Sequence, residues 1–196
     1  MAEPVFSRPS RGLEEFFSHI RDETGLTILD LGGATQANVE FITNLGHRLY
    51  SVDFLRGMSE TFGSGDMAEQ SNPGRIDYFL RENLDYPESQ FDGVLVWDAL
   101  EYMAAPLLAA VIDRLHRVVK PKGYLLAIFH NDLRRQSVPY YSFRIQTANS
   151  VQVLQHGNRQ PAQLFNNRSL ERLFQRFESV KFFLTRDHLR EVILKR

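Results

Sequence analysis

Apolar positions along the chain switch between a helical and a strand spacing. Over 12–23, Leu13, Phe16, Phe17 and Ile20 recur at helical spacing with charges opposite, predicting an amphipathic helix on a sheet after an irregular start. LTILDLGG, from Leu26, is an apolar run of strand length ending in glycines, and Val39, Phe41, Ile42 and Leu45 then predict a helix stopped at Gly46. A second strand over 48–54 completes a strand–helix–strand unit. Segment 56–75, rich in Gly, Ser, Asn and Met, reads as an irregular or briefly helical connection to a short strand over 76–80. A buried-strand pattern lies within 91–100 and a helical one over 107–119; Pro121-Lys122-Gly123 ends that helix and turns into a strand over 124–130.

Strands alternating with helices imply parallel pairing, because right-handed crossovers need a helix to return the chain to the same end of the sheet. Beyond Asn131 the rhythm changes. Segments 141–147 and 150–156 alternate apolar and polar residues around Ala148-Asn149, predicting a hairpin outside the main sheet. A helix over 167–177, capped by Asn167 or Ser169, and two closing strands around Arg186-Asp187 complete the chain. The expected fold is an α/β three-layer sandwich: a Rossmann-like sheet of seven mostly parallel strands, the last antiparallel, with a hairpin inserted after the fifth. Residues 1–196 are read as one domain, and 132–166 as a lid.

No apolar run reaches the roughly 20 residues that span a bilayer, and MAEPVFSRPSRG lacks the apolar core of a secretory signal, so the expected location is cytoplasmic. The absence of cysteine excludes disulfides and thiolate metal sites, and no metal is expected. HExxH, the phosphate-loop pattern and the G-x-S-x-G nucleophile elbow are missing, leaving hydrolase and zinc-enzyme readings without support. Net charge is −1, but 133–176 holds seven arginines against one acid, Glu171: a solvated face or a surface for a protein partner.

The chemistry concentrates at Asp30-Leu31-Gly32-Gly33, ending the first strand, and at Asp53, ending the second about twenty residues later. Glycine permits close approach of a ligand, amides at a helix start favour an anionic group, and a carboxylate at the next strand end can accept ribose hydroxyls. A turn that needs glycine beside a solvent-facing aspartate would read identically. The degenerate Gly32-x-Ala34-x-x-Ala37 with Asp53 keeps a nicotinamide-dependent reductase as a minor alternative.

Downstream, Tyr86-Pro87, Phe91-Asp92, Asp98 to Tyr102 and Pro121 to Gly123 follow in an order that resembles the class I S-adenosylmethionine-dependent methyltransferases, particularly the small enzymes that include quinone-biosynthesis methyltransferases. The resemblance runs from about Leu26 to Phe129. It implies that Asp30, Gly32 and Gly33 face the methionine portion of S-adenosylmethionine, that Asp53 binds ribose, that Phe54 packs on adenine, and that Asp98 lies at the cofactor edge. Phe54 reads equally as a core aromatic and Asp98 as a helix cap. Two departures stand out: Ala34 and Gln36 occupy positions where the family often has glycine, and where many relatives carry an adenine-contacting acid after the third strand this chain reads Phe79-Leu80-Arg81-Glu82-Asn83, which implies adenine recognition shifted onto Glu82 or Asn83, or weakened.

Substrate-side candidates are Tyr102, His130, Asp132, Tyr140 and Tyr141, which follow the fourth and fifth strands where such sheets bind ligands. His130 is a potential general base or a hydrogen-bonded structural histidine; the tyrosines form a lid or pack a loop. The expected activity is methyl transfer from S-adenosylmethionine to a small-molecule acceptor. The alternative is a catalytically silent binding or regulatory subunit with the same fold. The slight overall acidity and the lack of an RNA-reading motif predict no RNA binding tighter than roughly micromolar at physiological salt. An anisotropy titration over a salt series checks this; tight, salt-sensitive binding abolished by reversing Arg134, Arg135 and Arg144 would contradict it.

Overall fold

The computed structural model describes residues 5–63 and 67–196. In chain order the elements are β1 (Val5–Pro9), α1 (Arg11–Ser18), β2 (Thr27–Asp30), α2 (Gln36–Asn44), β3 (Arg48–Ser51), α3 (Phe54–Phe62), α4 (Pro73–Leu84), β4 (Phe91–Trp97), α5 (Ala105–Val118) and β5 (Val119–His130). They continue with β6 (Val138–Thr147), β7 (Ser150–Arg159), α6 (Asn167–Leu173), β8 (Ser179–Leu184) and β9 (Leu189–Lys195). The main sheet runs β3-β2-β4-β5-β9-β8, parallel through β5, with β9 antiparallel to both neighbours.

Its central strands read as unbroken apolar runs because both faces are covered. Successive side chains alternate between two cores: Val94 and Val96 point to the α3–α6 side, Leu95 and Trp97 to the side of α1 and α2. Leu125, Ala127 and Phe129 against Leu126 and Ile128 repeat the split along β5. Gly93 lets α1 approach, since a Cβ there would lie 2.5 Å from Phe16 Cζ.

The expected strand over 76–80 is instead part of α4, so the main sheet has six strands rather than seven. Asn72 caps the helix through the Gly74 and Arg75 amides, and Pro73 occupies its first turn. Ile76, Phe79, Leu80 and Leu84 follow the helical period, and Phe79 packs edge-on against Phe54 with centroids 4.9 Å apart. The connection before it contains the nine-residue helix α3. Helix α6 is capped by Asn166, not by Asn167 or Ser169, in a reciprocal capping box with Ser169, and ends at Leu173 instead of 177. The expected turn at Pro121–Gly123 lies within β5, absorbed by an irregularity in its pairing with β4.

The hairpin turns at Ala148-Asn149, as the alternation predicts, but it is not alone. The expected irregular start supplies β1, which pairs antiparallel with β7 to make a second sheet of order β1-β7-β6. Phe143, Ile145, Val151 and Val153 are buried in the same core as Phe16, Phe17 and Trp97. Segment 132–166, the cap, thus contributes hairpin side chains to that core. Arg8 of β1 fastens the two sheets, reaching Asp187 at 2.6 Å and the fully buried Glu191 of β9 at 2.9 Å. Glu191 also accepts the Gly12 amide of α1 at 2.6 Å. Among the described residues no helix is long and apolar enough to cross a membrane.

Gly93→Ala is expected to destabilise the protein by about 1–3 kcal/mol, the range for forcing an extra methyl into a packed core. Urea unfolding checks this; parental stability would show that α1 does not press on β4.

Candidate active site

Strand β2 ends in Asp30, and the chain beyond it is stitched to the end of β3. The Gly33 amide donates to the Val52 carbonyl at 3.0 Å, the Phe54 amide donates to Leu31 O at 3.1 Å, and Gly32 and Asp53 form an isolated bridge. Gly33 adopts φ +82, backbone that favours glycine. Gly32 is confined differently: a Cβ would stand 2.7 Å from the Trp97 ring. Both glycine amides are occupied internally, Gly33 as above and Gly32 by Asp30 Oδ1 at 2.9 Å. The start of α2 is capped by Thr35, which accepts the Asn38 amide. The Gly32, Gly33 and Asn38 amides are thus satisfied within the protein.

Asp30 is wholly buried and accepts from Gly32 N, from Trp97 Nε1 at 2.7 Å and from Asn38 Nδ2 at 2.8 Å. Burial pushes its carboxyl above the usual range, and these hydrogen bonds oppose the rise. It stands behind the cleft wall, bonded to Trp97, and does not line the cleft. Trp97 itself holds φ +57, a left-handed conformation that bulky residues rarely adopt, and stacks on Phe143 of the cap with centroids 5.0 Å apart.

A cleft of about 290 Å³ opens at the carboxyl ends of β2, β3 and β4 beneath the cap, its walls including Gly32, Asp53, Trp97, Asp98, Tyr140 and Tyr141. Five of the sequence-derived site residues meet here. Asp53 is exposed and caps α3 by accepting the Arg56 amide at 3.0 Å. Phe54 does not join it; as the first residue of α3 it turns into the core with no exposed face. Glu82 is exposed on α4, and Asn83 packs against Gly57 of α3 while its amide donates to Phe79 O at 2.9 Å. The helical form of 73–84 thus removes Glu82 and Asn83 from the cleft. Tyr102 lines a second, adjoining cavity. Asp132 lies in the loop after β5, paired with Arg135 at 3.2 Å.

His130 lies beneath the cleft, not on it. Its Nδ1 pairs closely with Glu101, whose other oxygen accepts the His130 amide at 3.0 Å. The ring is buried and packs against Tyr141, with Nε2 unpartnered. The ring is therefore enclosed and does not line the cleft. Asp98 reaches the cleft from the same buried cluster and accepts the Tyr141 amide at 3.3 Å. It makes no side-chain cap to the short 3₁₀ turn over Ala99–Tyr102, so the capping alternative falls away. Burial pushes its carboxyl up to about 7, the Glu101 charge adds to the rise, and His130 opposes it.

In the arginine-rich segment, Arg135 pairs with Asp132, Arg176 with Asp113 of α5, and Arg159 borders the cleft. Trp97 and Arg159 were missing from the sequence-derived site. Trp97 directly precedes Asp98 at a strand end, a signal that was available; nothing local distinguishes Arg159 from the other arginines.

A parallel sheet closed by an antiparallel strand, with its cleft at the carboxyl ends, defines a methyltransferase-type Rossmann fold. A sequence model of the family described as "Methyltransferase domain" matches residues 1–178, and the chain belongs to that family. Solved structures agree in fold. A 1,6-didemethyltoxoflavin-N1-methyltransferase of Burkholderia thailandensis, crystallised with 1,6-didemethyltoxoflavin and S-adenosylhomocysteine, is 13% identical with a TM-score of 0.52; the match covers 94% of this chain and 76% of that one. A SAM-dependent methyltransferase from Archaeoglobus fulgidus is 12% identical with a TM-score of 0.54, the match covering 94% of this chain and 91% of the other. A search of curated proteins found no matching sequence.

Since the Asp98 pKa in the folded chain lies above the ordinary 3.8, the folded state holds more protons than the unfolded one between 3.8 and about 7. Stability therefore falls as pH rises through that window and levels off above it. Asp98→Asn escapes the loss, so its melting temperature relative to the parent should climb from about pH 4.5 to about pH 7.5. A pH-independent gap would contradict a carboxyl titrating in this buried position.

Proposed function

We propose that the chain transfers a methyl group from S-adenosylmethionine to a small-molecule acceptor, with the cofactor held in the cleft under the cap. The observation that carries this reading is the backbone bridge that sets Gly32 beside Asp53, whose side chain is exposed, on one cleft wall. That placement suits a ribose, whose hydroxyls the Asp53 carboxylate can accept at the strand end. Trp97 and the cap residues Tyr140 and Tyr141 give the cleft aromatic surface for the rest of the cofactor. The bound cofactor supplies an activated methyl group, so the chain's contribution is alignment and proton management. Asp98, half-protonated near neutrality and present on the cleft wall, is suited to receive a proton from an acceptor hydroxyl or amine. Neither the family match nor the structural likeness favours the catalytically silent alternative.

Asp53→Asn keeps an N-cap of equal quality while removing the charge and one acceptor oxygen. It is expected to weaken S-adenosylhomocysteine binding by about 1–3 kcal/mol with little change in melting temperature. Calorimetric titration checks both affinity and stoichiometry. Parental affinity in the variant would reduce Asp53 to a helix cap and remove the ribose assignment.

A further inference from the structure

A second cavity, of about 450 Å³, adjoins the cleft and shares Ser59 and Arg159 with it. Its walls include Met58 and Met67 on one side and Tyr102, Asn158 and Arg159 on the other. Arg159, at the end of β7, is held between two aromatic rings: its guanidinium carbon lies 5.3 Å from the Tyr102 centroid and 5.2 Å from that of Tyr140. Contact with aromatic rings fixes the orientation of a guanidinium but leaves its in-plane N–H donors without acceptors. Among the described residues no carboxylate pairs with Arg159 and no acidic side chain lines this cavity. A half-buried guanidinium held by aromatic rings, with no carboxylate partner among the described residues, is the arrangement that recognises an oxyanion.

The Tyr102 hydroxyl is an independent second observation. The residue is 2% exposed, lines this cavity, and its hydroxyl has no hydrogen-bond partner. Burial, with the charges of Asp98 and Glu101, pushes its pKa upward, so the group stays an O–H donor. An orphaned buried hydroxyl costs free energy unless a ligand or water completes it. The cavity thus joins a neutral donor and a cation with two methionine side chains that suit an apolar body.

We infer that this second cavity binds a small organic anion, a carboxylate or phosphate monoester on an apolar body, through Arg159 and Tyr102. Its role as the methyl acceptor rests on the reading of the neighbouring cleft as the cofactor site; the anion site itself does not. Because the cavities share Arg159, a molecule anchored there borders the cofactor cleft, and the guanidinium is the specificity-determining group.

The test is calorimetric titration of the full chain, with and without saturating S-adenosylhomocysteine, using benzoate, inorganic phosphate and neutral benzamide as probes. Benzoate or phosphate should bind saturably at one site and benzamide should not. Arg159→Gln should weaken anion binding roughly ten- to hundredfold, the range for a lost charge-assisted hydrogen bond, with Arg159→Lys intermediate. Tyr102→Phe keeps the ring and should weaken it several-fold at an unchanged melting temperature. Equal binding of benzamide, parental anion affinity in folded Arg159→Gln, or no saturable anion binding by the parent would overturn the proposal. So would an equal loss of S-adenosylhomocysteine affinity in Arg159→Gln, which would assign the guanidinium to the cofactor. Failure of the parent to bind S-adenosylhomocysteine would instead sink the cofactor reading, while titration of the cofactor-free chain would still decide the anion site.

Discussion

The buried carboxylate of Asp30 is the interaction on which the rest of the site depends. It gathers an amide from the glycine turn, the indole N–H at the end of β4 and the Asn38 amide at the start of α2. Asn38 carries the connection outward, donating to Phe143 O at 3.2 Å and accepting the Ile145 amide at 2.7 Å. Two strand ends, a helix and the cap are thereby fixed to one side chain. A charge so deeply buried is tolerable only when its lone pairs are occupied, and losing one donor costs about 1–3 kcal/mol. Trp97 is held in its unfavourable backbone conformation by this bond on one edge and by Phe143 on its face.

The cap is subject to the same constraint on its far side. Strand β1, paired with β7 of the cap, is tied to the main sheet where Arg8 meets Glu191 and Asp187, and Glu191 also satisfies the first turn of α1. Buried ion pairs contribute little net stability because desolvation offsets attraction, yet they penalise any packing that separates them. Both anchors therefore select one placement of the cap, and that placement gives the cleft its roof. The cluster of Asp98, Glu101 and His130 lies beneath, where two carboxylates share one neighbourhood and one of them is driven toward neutrality.

Local patterns carried much of this into the sequence. The run from β2 through α2 to β3, the helix α5 and the two-residue turn at Ala148-Asn149 all follow from periodicity and turn chemistry. The strand expected over 76–80 failed because five residues are too few to separate spacings; Asn72-Pro73 marked a helix start that outweighed them. Gly32 and Asp53 were legible as a pair, but the reason for Gly32 was not, since its neighbour Trp97 lies 65 positions away in sequence. Phe54, Glu82 and Asn83 were placed by family resemblance, and helix packing moved all three. Arg159 emerges only when β7 carries it back over Tyr102, a contact with no local signature.

Trp97 is the sole tryptophan of the chain and lines the proposed cofactor cleft, so intrinsic fluorescence reports on that site without a label. Titration with S-adenosylhomocysteine should change the emission saturably with one site per chain, whereas NAD should leave it unchanged. No spectral response to S-adenosylhomocysteine, in a protein that calorimetry shows to bind it, would place the cofactor elsewhere and contradict the account.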